Sequence, residues 1–190
     1  MYSTKIDPKF NKNQNPKIGL IALASDYTIE KDFINVIKDK KIDFFVNRIE
    51  CFNPLTSENL IKMSEKITEV TKDILPNEKI DCVVYGCTSG TIAAGYQSIE
   101  KKIKKAKPEA EVTTPSTASI KALKRLNLNK IAIFTPYPKK LNDEVIDFFK
   151  KENFQITSNS YFDIASDIDI GKVDANYLYD VLSKMDLKGA

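Results

Sequence analysis

"DCVVYGCTSGTIAAG", residues 81–95, carries a short run of β-forming side chains through a Gly-Cys-Thr-Ser turn into a segment with helical character. Val83, Val84 and Tyr85 follow one another without polar alternation, the pattern of a parallel strand covered on both faces. Gly86 permits a tight turn at its end, and Thr91 to Lys105 reads as the helix that follows. A strand that feeds directly into a helix is the repeating unit of an α/β fold.

The same unit recurs upstream. "KIGLIALAS", Lys17 to Ser25, reads as a buried strand, after which Asp26 or Thr28 can cap a helix through Lys38 whose apolar face is Phe33, Ile34 and Ile37. Lys41 to Glu50 reads as a second strand, followed by a turn at Asn53 and Pro54 and a helix cap at Thr56 or Ser57. Leu60, Met63, Ile67, Val70 and Ile74 then mark one face of a single long helix, stopped by Pro76 and Asn77. Beyond Pro108, Val112 to Thr114 reads as a brief strand, with Ser116 or Thr117 capping a helix over Ala118 to Leu126.

A second run begins at "KIAIFTPYP", Lys130 to Pro138. It continues with a helix from Leu141 to Lys151, a strand from Gln155 to Ile164 and a helix from Ala175 to Met185. The order matches the first run, so the expected fold is α/β with two pseudo-symmetric parallel-sheet halves. The halves are expected at 17–127 and 128–190, after a polar N-terminal arm at 1–16. The step that takes Ile18 to Cys87, repeated from Ile131, lands near position 200, past the last residue. The second half is therefore expected to be incomplete, without its counterpart of "VVYGCTS".

With 42% hydrophobic residues the chain has material for a full core, and its 29 basic and 26 acidic residues are interspersed. "KKIKKAK", residues 101–107, reads as the solvated face of a helix, so no nucleic acid partner is expected. No apolar run approaches the roughly 20 residues needed to span a bilayer, and the N-terminus lacks the apolar centre of a signal peptide. A cytoplasmic protein without membrane contact is expected, and assembly into a homo-oligomer is left open.

The chain has no histidine, and its 3 cysteines, Cys51, Cys82 and Cys87, have no metal-like spacing. Neither a zinc site nor a disulfide scaffold is expected. Ser-His-Asp and Cys-His mechanisms are excluded within these residues, which leaves proton chemistry to Cys, Asp, Glu, Lys or Tyr.

Ligands of open parallel sheets bind beyond the carboxyl ends of the strands. Three loops qualify: Ala24 to Thr28, Gly86 to Thr91 and Thr135 to Pro138. Cys87 stands where strand gives way to helix, beside the hydroxyls of Thr88 and Ser89, a setting that lowers a thiol pKa and suits an anionic substrate. The alternative is a small buried hydrophobe. Cys82 reads as core, and Cys51 as core or half-exposed. A phosphatase loop would need an arginine where Ala93 stands, and no Gly-Lys-Ser/Thr sequence opens a helix as a Walker loop requires. Asp26 could contact substrate or cap a helix, and Tyr137, fixed between Pro136 and Pro138, could donate to a carboxylate or simply pack.

"IGLIALASDYTIEKDF", "VNRIECFNPLTSENL", "ILPNEKIDCVVYGCTSGT", "TPSTAS" and "IAIFTPY" together resemble the aspartate/glutamate racemase superfamily. The similarity is to the branch of maleate isomerases and arylmalonate decarboxylases, and most of all to the ectoine-utilisation protein A group. The resemblance implies an Asp/Glu racemase-like fold, an active site between two halves, no cofactor and one cysteine from each half. It implies that Cys87 is catalytic and that Thr88, Ser89, Tyr137, Asp26 and, more loosely, Asp167 bind substrate. Asp26 stands where maleate isomerases usually carry asparagine, and the second cysteine would fall near position 200. The implied activity is a racemase, epimerase or isomerase of a small carboxylate, such as a diaminobutyrate derivative of ectoine or hydroxyectoine breakdown. The alternatives are a maleate-type cis-trans isomerase, an arylmalonate-type decarboxylase, or a carboxylate-binding protein without catalysis or an inactive fragment. Cys87 argues against decarboxylation, since arylmalonate decarboxylases tend to keep only the cysteine of the second half.

Overall fold

The computed structural model describes residues 3–10 and 15–190. Part of the expected N-terminal arm, residues 1–2 and 11–14, lies outside them, and residues 3–10 form neither helix nor strand.

Four parallel strands form the first sheet: β1 (Lys17–Leu23), β2 (Asp43–Ile49), β3 (Cys82–Tyr85) and β4 (Glu111–Thr113), in the order β2-β1-β3-β4. The unbroken apolar runs have the predicted cause, because successive residues enter two different layers. Ile21, Leu23, Val83 and Tyr85 join the main core, while Leu20, Ala22 and Val84 join a smaller cluster on the opposite face. That smaller face is covered by α1 (Ile29–Ile37) through Ile29 and Phe33, the latter stacked on Phe44 at 5.2 Å. Ile34, expected to pack, is instead 53% exposed, because α1 turns only a narrow edge toward the sheet.

The main core is closed by α2 (Ser57–Ser64), α3 (Ile67–Lys72) and α5 (Tyr96–Ala106). The single helix expected from Leu60 to Ile74 is thus two. The amides of Glu65 and Lys66 donate to the carbonyls of Lys62 and Met63, and these three-residue bonds tighten the turn and redirect the chain. Leu60, Met63, Ile67 and Ile74 are nonetheless buried as their spacing predicts. The helix expected from Thr91 to Lys105 also divides, into α4 (Thr88–Ala94) and α5, at Gly95, whose φ of +79° is a conformation that favours glycine. Thr56 caps α2 as expected, accepting from the Asn59 amide at 3.2 Å. α6 (Pro115–Arg125) starts earlier than predicted: Thr114 is its cap, in reciprocal hydrogen bonds with Thr117, and Pro115 takes the first helical position.

The second sheet pairs β5 (Lys130–Thr135) with β6 (Gln155–Tyr161), again in parallel. α7 (Lys139–Lys151) joins them, and α8 (Asp167–Ile170) and α9 (Ala175–Ser183) follow. Ile131, Ile133, Val145 and Phe154 form a separate core with Ile120 of α6. The strands that open the two runs, β1 and β5, each pair in parallel with the next strand in sequence.

Several polar contacts tie the later elements to the first sheet. Ser57 Oγ donates to Glu144 at 2.6 Å, and the Leu55 amide donates to the Ala165 carbonyl at 2.9 Å. Among the described residues, no helix is long and apolar enough to cross a membrane.

Candidate active site

β3 delivers Cys87 to the start of α4, and there the sulfur acts as the helix cap. Cys87 has extended backbone angles (φ −132°, ψ 112°), and its Sγ accepts from the Gly90 amide at 3.2 Å, the role usually given to a serine or aspartate oxygen. Ser89 Oγ lies 3.8 Å from the same sulfur. Cys87 is 4% exposed. Burial pushes its thiol up to about 12, against the opposing pull of the Gly90 amide and the Ser89 hydroxyl, with Asp167 and Cys51 pushing it further up. The turn was expected to lower this pKa. Its donors are present and act in that direction, but desolvation outweighs them, so the resting group is a thiol.

The other candidates converge from three more chain segments. Tyr137, beyond β5, packs against both the main core and the core of the second sheet. Burial pushes its phenol up to about 12, as does the Cys87 sulfur, while the hydroxyls of Ser89 and Thr88 facing it pull the other way. Asp167, at the start of α8, accepts from Ser25 Oγ at 2.5 Å, and its own amide donates to Asn53 Oδ1 at 3.1 Å. Burial raises the Asp167 carboxyl, Ser25 lowers it and neighbouring Asp26 raises it again. Asp26 does what a cap does: its Oδ1 accepts from the amides of Thr28 (2.7 Å) and Ile29 (2.9 Å). Among the described residues neither Asp26 nor Asp167 has an ion-pair partner.

Three further side chains belong here: Ser25 and Arg48, not singled out from sequence, and Cys51, read there as core or half-exposed and found half-buried. Ser25 orients Asp167. Cys51, half-buried beyond β2, has its thiol raised by burial, opposed by Ser25 and reinforced by Asp167. Arg48 donates through Nη1 to the carbonyls of Leu23, Ala24 and Asp26 and pairs with Glu30 at 2.9 Å, which braces the loop after β1. The β1/β2 register ends with Leu23 opposite Ile49, so two residues further on Ser25 stands level with Cys51. Cys82, by contrast, lies on β3 against the smaller cluster, away from these groups.

The chemical inventory is a buried thiol ringed by hydroxyl donors, with two carboxylates on the side of β1 and α8. Among the described residues no group of His, Cys, Asp or Glu side chains has the arrangement of a metal site. The model of the arylmalonate decarboxylase family matches residues 65–188, which hold Cys87, Tyr137 and Asp167. The chain belongs to the arylmalonate decarboxylase family.

The chain is also similar to maleate isomerases. The maleate isomerase of Pseudomonas putida is 25% identical over 91% of the chain and 74% of its own length. That of Geobacillus stearothermophilus is 22% identical over 92% and 74%. A Cys-to-Ser variant of Nocardia farcinica maleate cis-trans isomerase, solved with a covalently bound succinylcysteine intermediate, superposes with a TM-score of 0.83 at 18% identity, covering 93% of this chain and 76% of that one. The fold of that isomerase therefore covers nearly the whole chain.

Proposed function

We propose that this protein is a cofactor-independent isomerase of a small carboxylate in which Cys87 is the nucleophile. The observation that carries the reading is the placement of the sulfur: it caps α4 with Ser89 at 3.8 Å and faces Tyr137 of the β5 loop. In a cis-trans isomerisation the sulfur adds to one carbon of the double bond as its proton passes to a substrate carboxylate, which returns it when the sulfur leaves. The electron pair of the π bond moves toward the carboxylate on the other carbon and gives an enediolate. Rotation about the new single bond and expulsion of the thiolate complete the turnover. Thr88, Ser89 and Tyr137 are the donors assigned to the substrate carboxylate and its developing charge. The likeness to maleate isomerases supports this route, as does the succinylcysteine of the Nocardia farcinica relative. Residues 17–127 and 128–190 are, on this reading, the two halves between which the substrate sits.

A second reading is favoured by one observation. Among the described residues Asp26 and Asp167 have no cationic partner, so they suit a substrate that brings its own ammonium group, such as a diaminobutyrate derivative. On such a substrate the thiolate would remove the α-proton, and the enzyme would act as a racemase or epimerase. Nuclear magnetic resonance in deuterium oxide separates the two. Conversion of maleate to fumarate supports the first, and α-proton exchange of an amino carboxylate supports the second. Cys87→Ser is expected to abolish either activity, and retained turnover would make Cys87 a packing residue.

A further inference from the structure

Tyr85 is completely buried on β3, yet its phenol oxygen makes no hydrogen bond. A buried hydroxyl without a partner is destabilising relative to a phenylalanine filling the same space, so its presence calls for a physical reason. The surroundings supply one. β-strand alternation puts Val83, Tyr85 and Cys87 in the same core layer. The bare Cα of Gly90 completes the arrangement. A methyl group there would meet Tyr85 Oη at 2.7 Å and Cys87 Sγ at 2.8 Å, so the phenol and the sulfur border the same small space against α4. Any larger residue at position 90 would occupy the place where they meet.

We propose that Tyr85 is a positioning residue, a buried donor whose O–H is held ready for the Cys87 sulfur in its thiolate form. This rests on the reading of Cys87 as the reactive thiol. In the resting site the sulfur is a thiol and a poor acceptor, which accounts for a phenol that lies beside it and makes no bond. When the proton leaves, the sulfur becomes a charged acceptor that already receives from the Gly90 amide, and Tyr85 adds a second donor across the small space they share at Gly90. Burial, first of all, holds the Tyr85 phenol far above its ordinary range, with the Cys87 sulfur acting in the same direction, so the group keeps its proton and remains a donor. Substrate approaches from the loop side, where Thr88 and Tyr137 lie; Tyr85 acts on it only through sulfur. The titratable groups facing Cys87 are Tyr85 on β3, Cys51 beyond β2, Tyr137 beyond β5 and Asp167 on α8.

The test is a graded donor series at position 85: Tyr85→Phe, the natural tyrosine, and a site-specifically incorporated ring-fluorinated tyrosine, which is a stronger donor of the same shape. The readout is the rate of Cys87 alkylation by iodoacetamide at one mildly alkaline pH, assigned by peptide fragmentation mass spectrometry. Alkylation follows the thiolate fraction, so losing the donor should raise the thiol pKa by about one unit and slow the reaction roughly tenfold. The fluorinated protein should react faster than the natural one. Tyr85→Phe should melt no lower than wild type, since it removes an oxygen without a partner. A role in packing alone would not produce rates in the order of donor strength. Equal rates across the series, or a faster phenylalanine variant, would overturn the assignment without touching the catalytic reading, because turnover is not measured.

Discussion

Asp167 holds a half-buried carboxylate against Ser25 Oγ with a second carboxylate, Asp26, nearby, and its pKa is raised chiefly by burial. A carboxyl whose folded pKa lies above its unfolded value favours folding while protonated and loses that contribution as the pH rises through the folded value. At neutral pH the ionised Asp167 is therefore a local burden on the fold. Asp167→Asn, which can still accept from Ser25, should raise the melting temperature at pH 7, and the gain should shrink toward zero as the pH falls below the ordinary carboxylate range. Differential scanning fluorimetry across that window reads it, and a gain that persists unchanged into acid would contradict the cause given. At this scale the places of Cys87, Thr88, Ser89, Tyr137 and Asp26 at the ends of strands were legible because a strand end followed by a helix start is visible in a single sequence. Asp167 was reached only through resemblance, Ser25 was missed, and Cys51 was read only as core or half-exposed, which its half-buried place bears out. What places Ser25 beside Asp167 is a contact spanning 142 residues, which local pattern does not carry.

α6 and the α4–α5 joint show what governs the elements. Thr114 and Thr117 satisfy each other's backbone and side-chain groups at the start of α6, and Thr114 is 1% exposed. Thr114→Ala should cost about 1 kcal/mol in chemical denaturation, the usual loss for a helix cap, whereas alanine at exposed Ser119 on the same helix should change little. Gly95 is different in kind, since its surroundings leave open space for a side chain and only its φ of +79° resists one. Gly95→Ala should destabilise by about 1–2 kcal/mol through backbone strain. A neutral result would mean that the joint relaxes into a continuous helix, the one expected from sequence over Thr91 to Lys105. Element type was readable from apolar spacing almost everywhere. The two breaks were not, because a run with period near 3.6 looks the same whether one helix or two consecutive helices bury it, as Leu60, Met63 and Ile67 show across α2 and α3.

Across the molecule, the two parallel sheets meet where Tyr137 of the β5 loop faces the α4 hydroxyls, and this junction concentrates groups that resist ionisation. The Cys87 thiol moves from an ordinary 9.0, and the Tyr137 phenol from 10.0, each to about 12 in the folded protein. Both folded values are raised, so their contribution is complete below the unfolded values and is lost as pH rises toward about 12. Stability measured by urea denaturation should therefore decline above pH 9, and Cys87→Ala should flatten the decline relative to neutral pH. The architecture itself was visible early, since parallel α/β pairing follows from strands that alternate with helices. The meeting of the two sheets was not visible from pattern, because it depends on which loops face one another. Cys87 is the proposed nucleophile of this junction. Its most direct test is to mix the protein with maleate, quench with acid and locate covalent adducts by peptide mass spectrometry. A succinyl adduct is expected on Cys87 of the wild-type protein and none in Cys87→Ser, with fumarate formed only by the former; fumarate production that survives in Cys87→Ser would rule out Cys87 as the nucleophile.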